Sequence, residues 1–312
     1  MISSLFGKTR PVNYILVLSL LFAFYVLAHL GVSDRPFEAS NIIPWTLGLA
    51  CLLFSIFIVN FIVQRNQLTS AHSLGMLFYC FFIILFPDTM LDREVIFANV
   101  FLLLALRRLI SMKSLKNPKG KIFDGALWIL ASSLFINWNL LFLVLVWLYI
   151  YFYVPKNINY WLIPVTAMLA VLMIGWSVSF LIGDPDFLFR HYSFSRPELD
   201  LEIFPRGSLI KAGVFLVTVI TAGIASFVKQ GKSSQGQLTQ LRLLVLGWLL
   251  GVLIIFLTGE RGSSTILFIF FPSAIFAARY LSTVRRELLK NVLIFGVMII
   301  SLTFFFLKWV VK

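Results

Sequence analysis

Eleven apolar runs, separated by short charged or polar turns, leave this chain few ways to fold. They cover residues 14–30, 44–63, 73–86, 95–111, 123–135, 140–154, 161–182, 207–228, 241–257, 265–281 and 292–309. A backbone facing hydrocarbon must pair its own amides, since each unpaired one costs several kcal/mol, and runs of this length therefore predict α-helices. They exceed the roughly ten alternating residues of a barrel strand. Only 12% of the chain is charged, too little to coat a soluble globule of 312 residues. The expected fold is all-α: a polytopic integral membrane protein of about eleven transmembrane helices. The third and fifth runs are short against the roughly twenty residues a span needs, so they either start in the headgroup region or stop short of crossing.

Charge sets the orientation. A cytoplasmic N-terminus places 17 of the 26 basic residues inside, chiefly in the turns around Arg107 to Lys121 and Arg279 to Lys290. All the acidic residues except Asp124 and Glu287 then fall outside, together with Lys312. The net charge of +13 is what basic turns facing anionic lipid require, and no nucleic-acid-binding pattern accompanies it. Cys51 and Cys80 both sit inside apolar runs and are expected as free buried thiols. The polar stretch 229–240 reads as a cytoplasmic linker between an eight-span region, 1–228, and a three-span region, 241–312.

The hairpin formed by the third and fourth runs organises the rest. Its turn, Pro87-Asp-Thr-Met-Leu-Asp-Arg-Glu94, carries three carboxylates and an arginine at the outer face. Asp88 and Asp92 are four apart and share a face if the turn is helical. Carboxylates so placed suit a general base or a divalent-cation ligand, while arginines clamp phosphate bidentately. The outer segment 183–206 is long enough for a binding loop, with an interfacial piece at Phe187-Leu-Phe-Arg-His-Tyr and an extended piece around Leu199 to Ile203. The candidate catalytic residues are thus Asp88 and Asp92, and the candidate phosphate or headgroup contacts Arg93, Arg190, Arg196, His191 and Arg261. Pro272 is expected to interrupt the tenth run. Asn60, Asn99, Ser177, Ser179 and Thr221 are expected to hydrogen bond within or between helices.

Several chemistries lack their residues. The chain has three histidines, with His72 expected at the opposite face from His29 and His191, and it has no HExxH, CxxC, Walker, GxSxG or GxGxxG sequence.

The opening Met-Ile-Ser-Ser-Leu-Phe-Gly-Lys-Thr-Arg-Pro-Val-Asn, the Phe86-Pro87 turn, the run Asn99 to Arg107 and Lys121-Ile-Phe-Asp-Gly-Ala-Leu resemble an uncharacterised family of multi-pass inner-membrane proteins of Bacteroidota. The likeness implies a bacterial inner-membrane location and no specific activity. In span number, outward acidic site and short hairpins the chain is also similar to multi-pass glycosyltransferases that use polyprenyl-phosphate sugars. That likeness implies sugar transfer from a lipid carrier at the outer face. The competing expectation is a non-catalytic scaffold with a membrane-protein partner.

Overall fold

The computed structural model describes residues 5–7, 10–32, 39–69, 72–194, 206–228, 235–259 and 262–310. Every apolar run is helical, and no strand occurs among the described residues. We number the helices α1 (Pro11–Leu27, continued by a π-turn Ala28–Val32), α2 (Ala39–Asn66), α3 (Leu74–Leu85), α4 (Asp88–Leu91), α5 (Arg93–Ile110), α6 (Pro118–Ser133), α7 (Leu143–Tyr153) and α8 (Ile158–Ile182). There follow α9 (Phe187–His191), α10 (Arg206–Val228), α11 (Gln235–Leu257), α12 (Gly262–Thr265), α13 (Phe270–Thr283) and α14 (Glu287–Val310).

Among the described residues, seven helical segments are long and apolar enough to cross a bilayer: Pro11–Val32, Ile42–Asn66, Arg93–Ser114, Ile158–Ile182, Gly236–Leu257, Ser263–Thr283 and Glu287–Val310. Three more, Leu74–Leu85, Asn137–Tyr153 and Lys211–Ser226, are apolar but shorter. The chain is therefore an all-helical protein with the makings of a multi-pass membrane protein.

The third run shows why a short apolar helix belongs here. All twelve residues of α3 are buried, and at 1.5 Å per residue the helix is about 18 Å long against a hydrocarbon core of about 30 Å. A helix apolar on every side needs a wall all round. That wall is α1, α2, α13 and α14, drawn from both ends of the chain. Polar side chains join neighbouring helices: Asn99 Nδ2 donates to Tyr79 Oη at 2.8 Å, bringing α5 onto α3 as well, and Asn60 bonds Tyr14 between α2 and α1. Ser177 and Thr221 bond carbonyls of their own helices. Both cysteines are free.

Pro272 is accommodated rather than kinking a helix. A 3-10 turn, Ile266–Ile269, ends before it, so Pro272 stands in the first turn of α13, where its missing N–H is no loss. Next to it, Ser273 Oγ accepts from Trp248 Nε1 at 3.1 Å, fastening α11 to α13. The polar stretch expected to be a linker is helical from Gln235 onward, because Gln240 Nε2 finds the Ile110 carbonyl at 3.1 Å.

Contacts between distant turns sort them into two ends. At one, Asp88 meets Lys308, Asp92 meets Ser264, and Gly31 lies under Trp309. At the other, the Phe6 carbonyl accepts from Ser73 N at 3.0 Å, Arg279 donates to the Leu68 carbonyl at 2.6 Å, and Lys121 donates to the Ser111 carbonyl at 2.6 Å. The charge pattern had assigned the first group to one membrane face and the second to the other.

Candidate functional site

The charged turn closes as a single helical turn. Thr89 N and Thr89 Oγ1 both donate to the Phe86 carbonyl, at 3.0 and 2.7 Å, and Met90 N donates to that of Pro87 at 2.9 Å. Thr89 and Met90 are buried beneath it. The chain then leaves the helix at Asp92, whose φ of −93° and ψ of 100° are extended. Asp92 therefore becomes the N-cap of α5, accepting from Val95 N at 3.3 Å through Oδ1, while Oδ2 accepts from Ser264 Oγ of α12 at 2.9 Å. Asp88 turns elsewhere and pairs with Lys308, in the last turn of α14. The expected shared face gives way to two separate attachments, because capping α5 requires the backbone to unwind between the carboxylates.

A second lysine joins Asp88. Lys211, in α10, is only 6% exposed. Its Nζ lies 4.7 Å from the centre of the Phe86 ring, a cation–π contact, and it is within electrostatic reach of both Asp88 and Lys308. Phe215 and Phe270 complete the aromatic wall, each edge-on or tilted to Phe86 at 5.5 and 5.7 Å. Two ammonium groups thus face one carboxylate. Sequence reasoning singled out neither lysine as a site residue, since each lies far along the chain from Asp88, Lys308 by 220 positions. A lone lysine inside an apolar run was the available signal.

The other expected contacts are distributed. Arg93 follows Asp92 in the first turn of α5. Arg190 is taken by Asp184 in an exposed ion pair. His191 docks on the turn after α6, its Nε2 donating to the Ser133 carbonyl at 2.8 Å while its own carbonyl accepts from Asn137 Nδ2 at 3.3 Å. Tyr192 joins this dock through Ser133 Oγ at 2.9 Å, and burial raises its phenol pKa, an effect the Ser133 bond partly offsets. Arg196, Arg261 and the extended piece around Leu199 to Ile203 lie outside the described residues. No group of three or more His, Cys, Asp or Glu side chains gathers among the described residues. An apolar crevice beside Asn99, about 20 Å³, has room for a water and no substrate.

A helical protein with seven membrane-length apolar segments among its described residues and a half-buried Asp–Lys–Lys cluster at one end is the class these observations define. The chain belongs to DUF6427, a family of unknown function whose model matches residues 9–312. No curated protein and no solved structure matches it.

Proposed function

We propose that this protein sits in the bacterial inner membrane with its N-terminus in the cytoplasm, and that it transfers a sugar or similar group from a polyprenyl-phosphate carrier at the outer, Asp88-bearing end. The observation that carries the reading is Lys211. A lysine buried in an apolar assembly is costly unless it has work to do, and here it stands with Lys308 against a single carboxylate. That excess of positive charge suits the phosphate of a lipid carrier, with the Phe86, Phe215 and Phe270 wall suited to its first hydrocarbon units.

In this scheme the carrier phosphate displaces Lys308 from Asp88 and is held by Lys308, Lys211 and Arg93. The acceptor hydroxyl attacks the anomeric carbon, the anomeric C–O bond to phosphate breaks, the lipid phosphate leaves on the lysines, and Asp88 takes the hydroxyl proton. Asp92 keeps a positioning role through its cap and Ser264. A divalent cation would assist the departure of the lipid phosphate.

The test is a strain that depends on the gene, complemented with Asp88→Asn or Lys211→Met at matched protein levels. Accumulation of a lipid-linked sugar precursor with either variant supports the proposal, and unchanged carrier and envelope-glycan profiles with both would remove it.

Two observations favour the scaffold reading. Both carboxylates already have partners within the protein, and α8 presents a long exposed apolar flank including Met173, Trp176, Phe180 and Leu181. A stoichiometric membrane-protein partner retained in mild detergent would support it.

A further inference from the structure

At the end opposite Asp88 the structure forms a basic basin of about 620 Å³, within the range of small-molecule sites. It lies between the end of α2 and the 3-10 turn Ser111–Ser114 that follows α5. Arg65, Lys113, Lys116 and Lys121 line it, and no carboxylate does. The nearest acid in sequence, Asp124, is taken by Arg108 at 2.9 Å.

One of the cations, Lys121, is held in place. Lys121 Nζ donates to the Ser111 carbonyl at 2.6 Å and to Ser114 Oγ at 2.7 Å, which fixes its ammonium at the edge of the basin. Burial, then the charges of Arg108 and Lys116, lower its pKa, as excess positive potential requires. Gly236, at the start of α11, packs alongside the Lys113 stem, where an added Cβ would lie 3.5 Å from Cε.

Backbone strain gathers at the same place. Among the described residues, the non-glycine residues with left-handed φ are Gln67, Leu115 and Asn117, at 51°, 51° and 47°. Gln67 lines the basin, and the other two flank Lys116. Leu115 closes the 3-10 turn Ser111–Ser114 and Asn117 caps the start of α6, so two of these left-handed residues mark the tight connection that carries Lys116.

We infer that this basin binds a phosphate-bearing anion, attracted by the cations of Arg65, Lys113, Lys116 and Lys121. Arg65 offers the bidentate fork and the lysines supply point charges. The same chemistry is presented by a diphosphatidyl lipid headgroup from the adjoining leaflet and by a soluble diphosphate. The site is independent of the Asp88 cluster, and its failure leaves the proposal for that cluster untouched.

The experiment uses the full chain in phosphatidylcholine nanodiscs. One arm titrates inorganic pyrophosphate by calorimetry at constant ionic strength. The other adds cardiolipin to the nanodiscs and reads retained lipid by native mass spectrometry. Lys113→Gln with Lys116→Gln, two side chains that make no bond to Lys121, is compared with Lys119→Gln, an exposed charge at the same end outside the lining. The expected result is saturable binding of at least one probe, weakened about fivefold for each lining charge removed and under about twofold by Lys119→Gln. Pyrophosphate alone identifies a soluble ligand, and cardiolipin alone identifies the lipid. Binding of neither probe, or an equal loss from Lys119→Gln, overturns the inference.

Discussion

Removing the Asp88 carboxylate tests the charge cluster most directly. Asp88→Asn keeps the shape and leaves Lys308 and the almost fully buried Lys211 facing each other without a counter-charge. Breaking a fully buried pair costs about 3–5 kcal/mol, but the Asp88 and Lys308 side chains are 25% and 35% exposed, so solvent screens part of that loss. The cation–π contact to Phe86 at 4.7 Å still supports Lys211. A loss of about 3 kcal/mol follows for Asp88→Asn. Lys308→Met removes one cation and lets Asp88 turn to Lys211, so it costs about 1 kcal/mol. At this chain length each kcal/mol lowers the apparent melting temperature by about 2 °C, giving drops of about 6 and 2 °C in nanodiscs. The double variant should lie close to Asp88→Asn alone. Equal drops for the two single variants, or a drop below about 1 °C for Asp88→Asn, would show that Lys211 does not depend on this carboxylate.

Other outcomes follow from single contacts. Gly31→Ala puts a methyl 2.4 Å from the Trp309 indole and should cost about 1–3 kcal/mol, recovered in large part by adding Trp309→Leu, as read by melting temperature. Asp92→Ala loses both the α5 cap and the Ser264 bond and should cost about 2 kcal/mol, with Asp92→Asn intermediate, measured the same way. His72, in the turn before α3, has its pKa lowered by burial and by the charge of Lys290. Its contribution to stability is therefore intact above about pH 6.5 and is lost as pH falls through the lower folded value, a slope that His72→Gln should flatten in a pH-resolved melt.

Much of the architecture was written in local patterns. Run length and apolarity mark each helix, and the distribution of Lys and Arg anticipates which turns meet, since Asp88, Lys308, Asp92 and Ser264 were all assigned to one end. The shortness of run 73–86 left open whether its helix starts in the headgroup region or stops short of crossing, and only its packing shows it walled in on every side. What stayed hidden is long-range. Nothing within twenty residues of Asp88 indicates Lys308 or Lys211, because that encounter is made by α10 and α14 folding back on the α3–α5 hairpin. Asp92 misled for a local reason: its spacing from Asp88 fits a continuing helix, while the capping demand of α5 pulls it off. The basin was likewise invisible as a cavity, since its cations looked like separate lipid-facing charges until the ends of α2 and α5 enclosed them.

The enclosed position of α3 imposes an order on biogenesis. The ribosome delivers this segment early, yet two of the helices that wall it, α13 and α14, are synthesised last. Until then this all-apolar stretch has only α1 and α2 of that wall to cover it. Chains terminated ahead of residue 262 should accordingly be recognised as unfinished and degraded, whatever the soundness of the helices they already contain.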